Sequence, residues 1–106
     1  MNPTSTYCLL MYDITHDATL QRVARQLQKH GYERINYSVW LGWKSPKENT
    51  ELKKKLQDLL KNPKAEGSKL YYLPIKSHTL KAMKSISGHK PKDLEYWLGE
   101  TKLEFI

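Results

Sequence analysis

The stretch TYCLLMYD, residues 6–13, constrains the fold most. Tyr7, Leu9 and Met11 alternate with Cys8, Leu10 and Tyr12, so both faces of the strand they predict are apolar, and such a strand must be covered on both sides. It is the candidate central strand of a layered domain. It ends on a carboxylate, Asp13, with His16 nearby and a second acid, Asp17, four positions on. In a chain of 106 residues with 18 Lys and Arg against 11 Asp and Glu, a net charge of +7, a strand that stops on an acid stands out. The length suits one compact core, and the positive balance suits a soluble protein drawn to polyanions, nucleic acid first.

The rest of the chain can be read around that strand. Asp17 can cap a helix in which Leu20, Val23, Ala24 and Leu27 recur at i, i+3, i+4 and i+7, with Gly31 as its stop. In RINYSVWLGW, residues Ile35, Tyr37, Val39 and Leu41 fall on one face and Asn36, Ser38 and Trp40 on the other. This is the period of one long strand over 34–43, bent near Gly42 into a hairpin-like extension. Ser45, Pro46 and Glu48 form a capping box with proline at the first helical position, ahead of an apolar stripe at Leu52, Leu56, Leu59 and Leu60 that Asn62 and Pro63 end. KLYYLPIK is a further strand, and Pro74 lacks a backbone donor, which assigns it to a sheet edge or a bulge. A short strand is expected over 81–87. The order is closest to an α+β, ferredoxin-like βαββαβ sandwich with two helices on one sheet face, the long second strand supplying the strand that the count otherwise lacks.

Charge divides the chain. Residues 44–92 hold thirteen lysines against four acids, whereas 93–106 hold four acids against Lys102 alone. Residues 1–88 are expected to form the core and 89–106 a C-terminal extension. Cys8 is the only cysteine, so no intrachain disulfide forms and a cytoplasmic location is the default. No segment has the run of about eighteen apolar residues that spans a bilayer, so no membrane partner is expected. Glycine-rich phosphate loops are absent, and His30, His78 and His89 show no zinc spacing.

MYDI at the end of the first strand, Asp17 four residues after Asp13, a helix bearing Arg22 and Arg25, then RINYSVW and YYLPI, together resemble CRISPR-associated protein two over roughly residues 6–88. Asn36 and Trp40 stand where that family often has glutamine and phenylalanine. The resemblance implies a ferredoxin-like homodimer that joins the spacer integrase, CRISPR-associated protein one, and bridges its subunits on DNA in spacer acquisition. It also implies a metal-dependent endonuclease acting on RNA or DNA, in which Asp13 is the metal ligand and the catalytic residue. The tail segment KLEFI, with Leu103 and Phe105, would then pair with the partner's sheet.

The residue chemistry fits that expectation in part. A hard cation such as Mg²⁺ or Mn²⁺ prefers carboxylate oxygens, and one aspartate per chain makes half a site if a two-fold axis brings two Asp13 side chains to one shared ion. Without a metal, Asp13 would simply end the strand and cap the turn after it. Asp17 reads as a helix cap, and His16 as an inert loop residue more than a proton carrier. Arg22, Arg25, Lys29 and Arg34, with Lys53 and Lys54, are the candidate contacts to double-stranded DNA or single-stranded RNA, because phosphate neutralisation needs charge and no particular base edge. Ser38 and Trp40 are expected at a dimer face. A toxin-like endoribonuclease of the same fold and a plain RNA-binding module are the competing readings, and the aromatic signature of the latter is missing.

Overall fold

A computed structural model describes residues 6–43 and 45–88. Strand β1 (Thr6–Asp13) is followed by helix α1 (Asp17–Lys29), β2 (Glu33–Asn36), β3 (Val39–Gly42), α2 (Thr50–Leu60), β4 (Lys69–Lys76) and the short α3 (Ser77–Lys81). The four strands form one antiparallel sheet in the order β2-β3-β1-β4, which places β1 inside it, as two apolar faces require. The chain is an α+β, ferredoxin-like βαββαβ sandwich. Strand β4 lies on the edge, and its register with β1 runs unbroken from Thr6↔Lys76 through Cys8↔Pro74 to Asp13↔Lys69. An edge strand tolerates Pro74 because a missing N–H on the open side removes no ladder bond.

The helices close one face of the sheet. Cys8, Leu10 and Tyr12 of β1 and Trp40 of β3 are buried against Val23 and Leu27 of α1 and Leu52 and Leu56 of α2. Burial of each leucine contributes about 1.5–3 kcal/mol. Gly31 stops α1 at φ 84°, with the Tyr32 N–H donating to the Leu27 carbonyl at 2.9 Å and the Gly31 N–H to that of Gln28 at 3.2 Å. This is the paired end bond of a Schellman turn, which needs a left-handed residue. It swings the Tyr32 ring over Gly42, where an added Cβ would come within 2.6 Å of ring carbons.

On the other face α3 does a smaller job. Leu80 covers Tyr7 and Leu41, with Leu9, Ile35, Ile75 and Met83 packed around them. The Trp43 ring lies 5.0 Å from that of Tyr7.

Four local expectations are corrected. The cap of α1 is His16, whose Nδ1 accepts from the Thr19 N–H at 3.3 Å, while Asp17 is the first helical residue, where its charge suits the helix dipole. Helix α2 starts four residues late. The Glu48 and Asn49 N–H groups close a single turn on the Ser45 carbonyl, and Asn49 Oδ1 then accepts from the Leu52 N–H at 3.1 Å as the true cap. The stretch 34–43 is a hairpin broken at Tyr37 and Ser38, not a strand bent at Gly42, and Asn36 Oδ1 accepts from the Tyr37 N–H at the turn. No residue of that turn has positive φ, so it cannot match the strand twist as primed turns do, and a bulge between Arg34 and Asn36 takes up the difference. Residues 81–87 form no strand, because Ser77–Lys81 is helical and the chain beyond it is turn and bend. The C-terminal strand, with Leu103 and Phe105, falls outside the described residues, as does the extension 89–106.

Candidate functional site

Asp13 stands on the sheet face opposite the helices. Along β1 its neighbours on that face are Met11, Leu9 and Tyr7, and it is exposed. The Tyr12 N–H donates to the Ser38 carbonyl at 3.1 Å, tying the end of β1 to the hairpin turn, and Ile14 then dips into the helix-side core. Asp13 is thus held at the sheet end between two fixed residues. Opposite it in register is Lys69, followed on the same face by Tyr71 and Leu73, which are 59% and 52% exposed. Asp13, Ser38 and Lys69 therefore share one end of the sheet, on the half of the face that α3 leaves uncovered. Lys69 was missed in the sequence, since only strand register brings it there.

The donor set tests poorly for a resident metal within one chain. No group of three His, Cys, Asp or Glu side chains able to hold an ion occurs among the described residues. Asp13 is a lone carboxylate with a lysine across the register, and Mg²⁺ on one carboxylate needs a second donor from a phosphate or another chain.

The six basic residues expected to contact nucleic acid do not form one patch. Arg22 and Arg25 are exposed on α1 and border a groove of about 480 Å³, completed by Gln26 and by Lys55, Asp58 and Leu59 of α2. Lys55, 3.2 Å from Glu51, lines this groove, whereas Lys53 and Lys54 project from α2 outside it. The Lys55 hydrogen bond and charge hold the Glu51 carboxyl below its ordinary range, helped by the nearby Lys29. Lys29 thus lies at the end of the helix pair. Arg34 is elsewhere, on β2, with its guanidinium carbon 4.9 Å from the centre of the Trp40 ring and 5.9 Å from that of Tyr37.

Trp40, expected at a dimer face, lies in the core of the folded chain. It is 3% exposed, and its Nε1 donates to the Tyr12 hydroxyl at 3.1 Å inside the core. Ser38 is half-buried at the hairpin turn. Beneath the sheet, burial raises the Cys8 thiol and, most strongly, the Tyr32 phenol, whose hydroxyl is hydrogen-bonded to the Cys8 sulfur. Both are neutral structural groups, remote from the Asp13 face. No helix among the described residues is long and apolar enough to cross a membrane.

Comparisons with known proteins agree with this architecture. Residues 6–83 match the family model of the CRISPR associated protein Cas2. The protein Cas2 of Streptococcus pyogenes, solved at pH 6.5, superposes with a TM-score of 0.61 at 17% identity, covering 76% of this chain and 99% of that one. The hypothetical protein TT1823 of Thermus thermophilus gives 0.59 at 22% identity, covering 83% and 95%. A chain of the partial Cas6-RT-Cas1-Cas2 complex gives 0.65 at 26% identity, covering 82% and 96%. No curated protein sequence matches. With the family model spanning β1 to the residues just after α3, the chain belongs to the CRISPR-associated Cas2 family.

Proposed function

We propose that this chain acts in CRISPR spacer acquisition as the small, non-integrating subunit, a homodimer that binds the integrase and bridges its copies on DNA. Family membership supports the role, and the similar chain within a complex named for Cas1 and Cas2 supports the partner. The observation that carries the dimer is the apolar sheet face around Leu9, Met11, Val39, Tyr71 and Leu73, which no described element covers beyond α3. Monomers seldom leave such a face open, and a two-fold pairing of this surface would bury it. The α1–α2 groove with Arg22, Arg25 and Lys55 supplies charge for phosphates.

Metal-dependent endonuclease activity is the second reading, favoured by Asp13 standing exposed on that same face. In a face-to-face dimer the two Asp13 carboxylates, with a substrate phosphate, would hold the ion. The bound cation would supply charge neutralisation and an activated water. Lys69, across the register, would counter the carboxylate charge until the substrate arrives.

Spacer integration by the protein co-purified with its integrase tests the first reading, and cleavage of single-stranded RNA or duplex DNA with and without Mg²⁺, lost in Asp13→Ala, tests the second. Asp13→Ala is expected to integrate as wild type does, because the scaffold resides in the face and the groove. Loss of integration by a variant that still dimerises would make the carboxylate part of the acquisition function itself.

A further inference from the structure

We propose that the cleft between α1 and the β2–β3 hairpin is a binding site for one unpaired nucleobase, stacked on the exposed Arg34 guanidinium that the buried Trp40 ring backs. The proposal rests on the nucleic-acid reading above and names a contact other than the phosphate groove.

The cleft measures about 550 Å³, within the size range of small-ligand sites, about 300–1,000 Å³. Its apolar lining comes from Ala24, Tyr32 and Trp40, and its polar side chains from Gln28 and Arg34. At Gly31 the Schellman turn leaves open space where a side chain would stand, so the mouth is unobstructed there. Trp40 is a fixed platform, buried and held through Nε1 by the Tyr12 hydroxyl. Arg34 lies over it at 4.9 Å and is itself exposed, with Tyr37, 67% exposed, on its flank at 5.9 Å.

This arrangement differs in kind from a phosphate contact. A phosphate needs a positive point charge, which a lysine supplies as well. Here a planar guanidinium is held among aromatic rings, the kind of surface on which splayed-out bases stack in single-stranded recognition. The Gln28 amide borders the same space, where it can meet the hydrogen-bonding edge of a base. A base inside a duplex is stacked on both faces and paired at its edge, so the ligand is an unpaired base. On α1, Ala24 and Gln28 lie on the opposite flank from Arg22, Arg25 and Gln26, at about 100° of rotation per residue, so the cleft and the phosphate groove can be occupied together.

The test measures fluorescence-anisotropy binding of the full chain to three probes: a duplex, a single-stranded oligothymidylate of about ten nucleotides, and an abasic single strand of equal length. Wild type is expected to bind the thymidylate strand more tightly than the abasic one. Arg34→Lys, which keeps the charge and loses the plane, is expected to cost about tenfold on the thymidylate strand and nothing on the other two probes. Ala24→Leu, which adds bulk at the cleft wall and leaves Arg34 in place, should give the same selective loss with the circular dichroism spectrum of the folded chain retained. Equal wild-type binding to thymidylate and abasic strands, or equal weakening of both by Arg34→Lys, overturns the site while duplex binding leaves the nucleic-acid reading standing. Failure of wild type to bind any of the three probes would end both.

Discussion

The two faces of the sheet begin with the same sequence pattern and end differently. On the helix side Cys8, Leu10, Tyr12 and Trp40 are shut into a core by α1 and α2. On the other side Tyr7 and Leu41 are equally buried under Leu80, yet a few residues along the same strands Tyr71 and Leu73 stay open beside Asp13. Alternation of apolar residues states that both faces of β1 need cover, and this chain's described elements supply cover for one and a half of them. The uncovered half is where Asp13 stands, so the proposed self-association and the proposed Asp13 chemistry fall on one surface. The proposed nucleic-acid contacts lie on the helix side of the sheet, behind it.

Substitutions can break that contrast. The largest expected effect is on the closed side: Leu10→Ala should lower unfolding free energy by about 2–5 kcal/mol in urea denaturation, because the side chain is fully buried. Leu73→Ala, measured at protein concentrations low enough for monomers, should stay within about 0.5 kcal/mol of wild type. Similar losses at the two positions would mean that the open half is covered after all. Next in size is Gly42→Ala, where the new methyl group meets the Tyr32 ring and overpacking should cost about 1–3 kcal/mol, read from the shift in denaturation midpoint.

A smaller effect comes from pH. Cys8 and Tyr32 are buried acids with pKa values raised in the folded state, so folding favours their neutral forms. Their contribution is intact below the ordinary values of 9.0 and 10.0 and is lost as pH rises past them. Stability should therefore fall above pH 9, by up to about 1.4 kcal/mol per pH unit for each ionising group. Cys8→Ala should blunt the first part of that fall, and an alkaline limb unchanged in this variant would remove the thiol from the account.

Much of this was legible in the sequence, for identifiable reasons. The helix stripes, the double-sided β1, the Gly31 stop and the edge position of Pro74 follow from periodicity and backbone chemistry that no tertiary contact overrides. The hairpin at Tyr37 and Ser38 was not legible, because it has no glycine or Asn-Gly signal and its misfit is absorbed by a bulge one strand back. His16 displaced Asp17 as the cap of α1 because a ring nitrogen can accept an amide N–H as a carboxylate can, and only the backbone angles decide between adjacent residues. Trp40 is expected at a dimer face when 34–43 is read as one strand. In the hairpin it faces the helices, cross-strand from Arg34, whose guanidinium that register lays over the Trp40 ring. Asp13 was singled out by the resemblance, whereas its exposure on the open face and its pairing with Lys69 needed the sheet register.

The most direct test of the central claim, that the Asp13-bearing half-face is the self-association surface, is sedimentation equilibrium of wild type beside Tyr71→Lys/Leu73→Lys. The account predicts a dimer for wild type and a folded monomer, with an unchanged circular dichroism spectrum, for the double variant. A double variant that remains dimeric, or a wild type that stays monomeric at concentrations where Cas2-type assemblies would form, would contradict it.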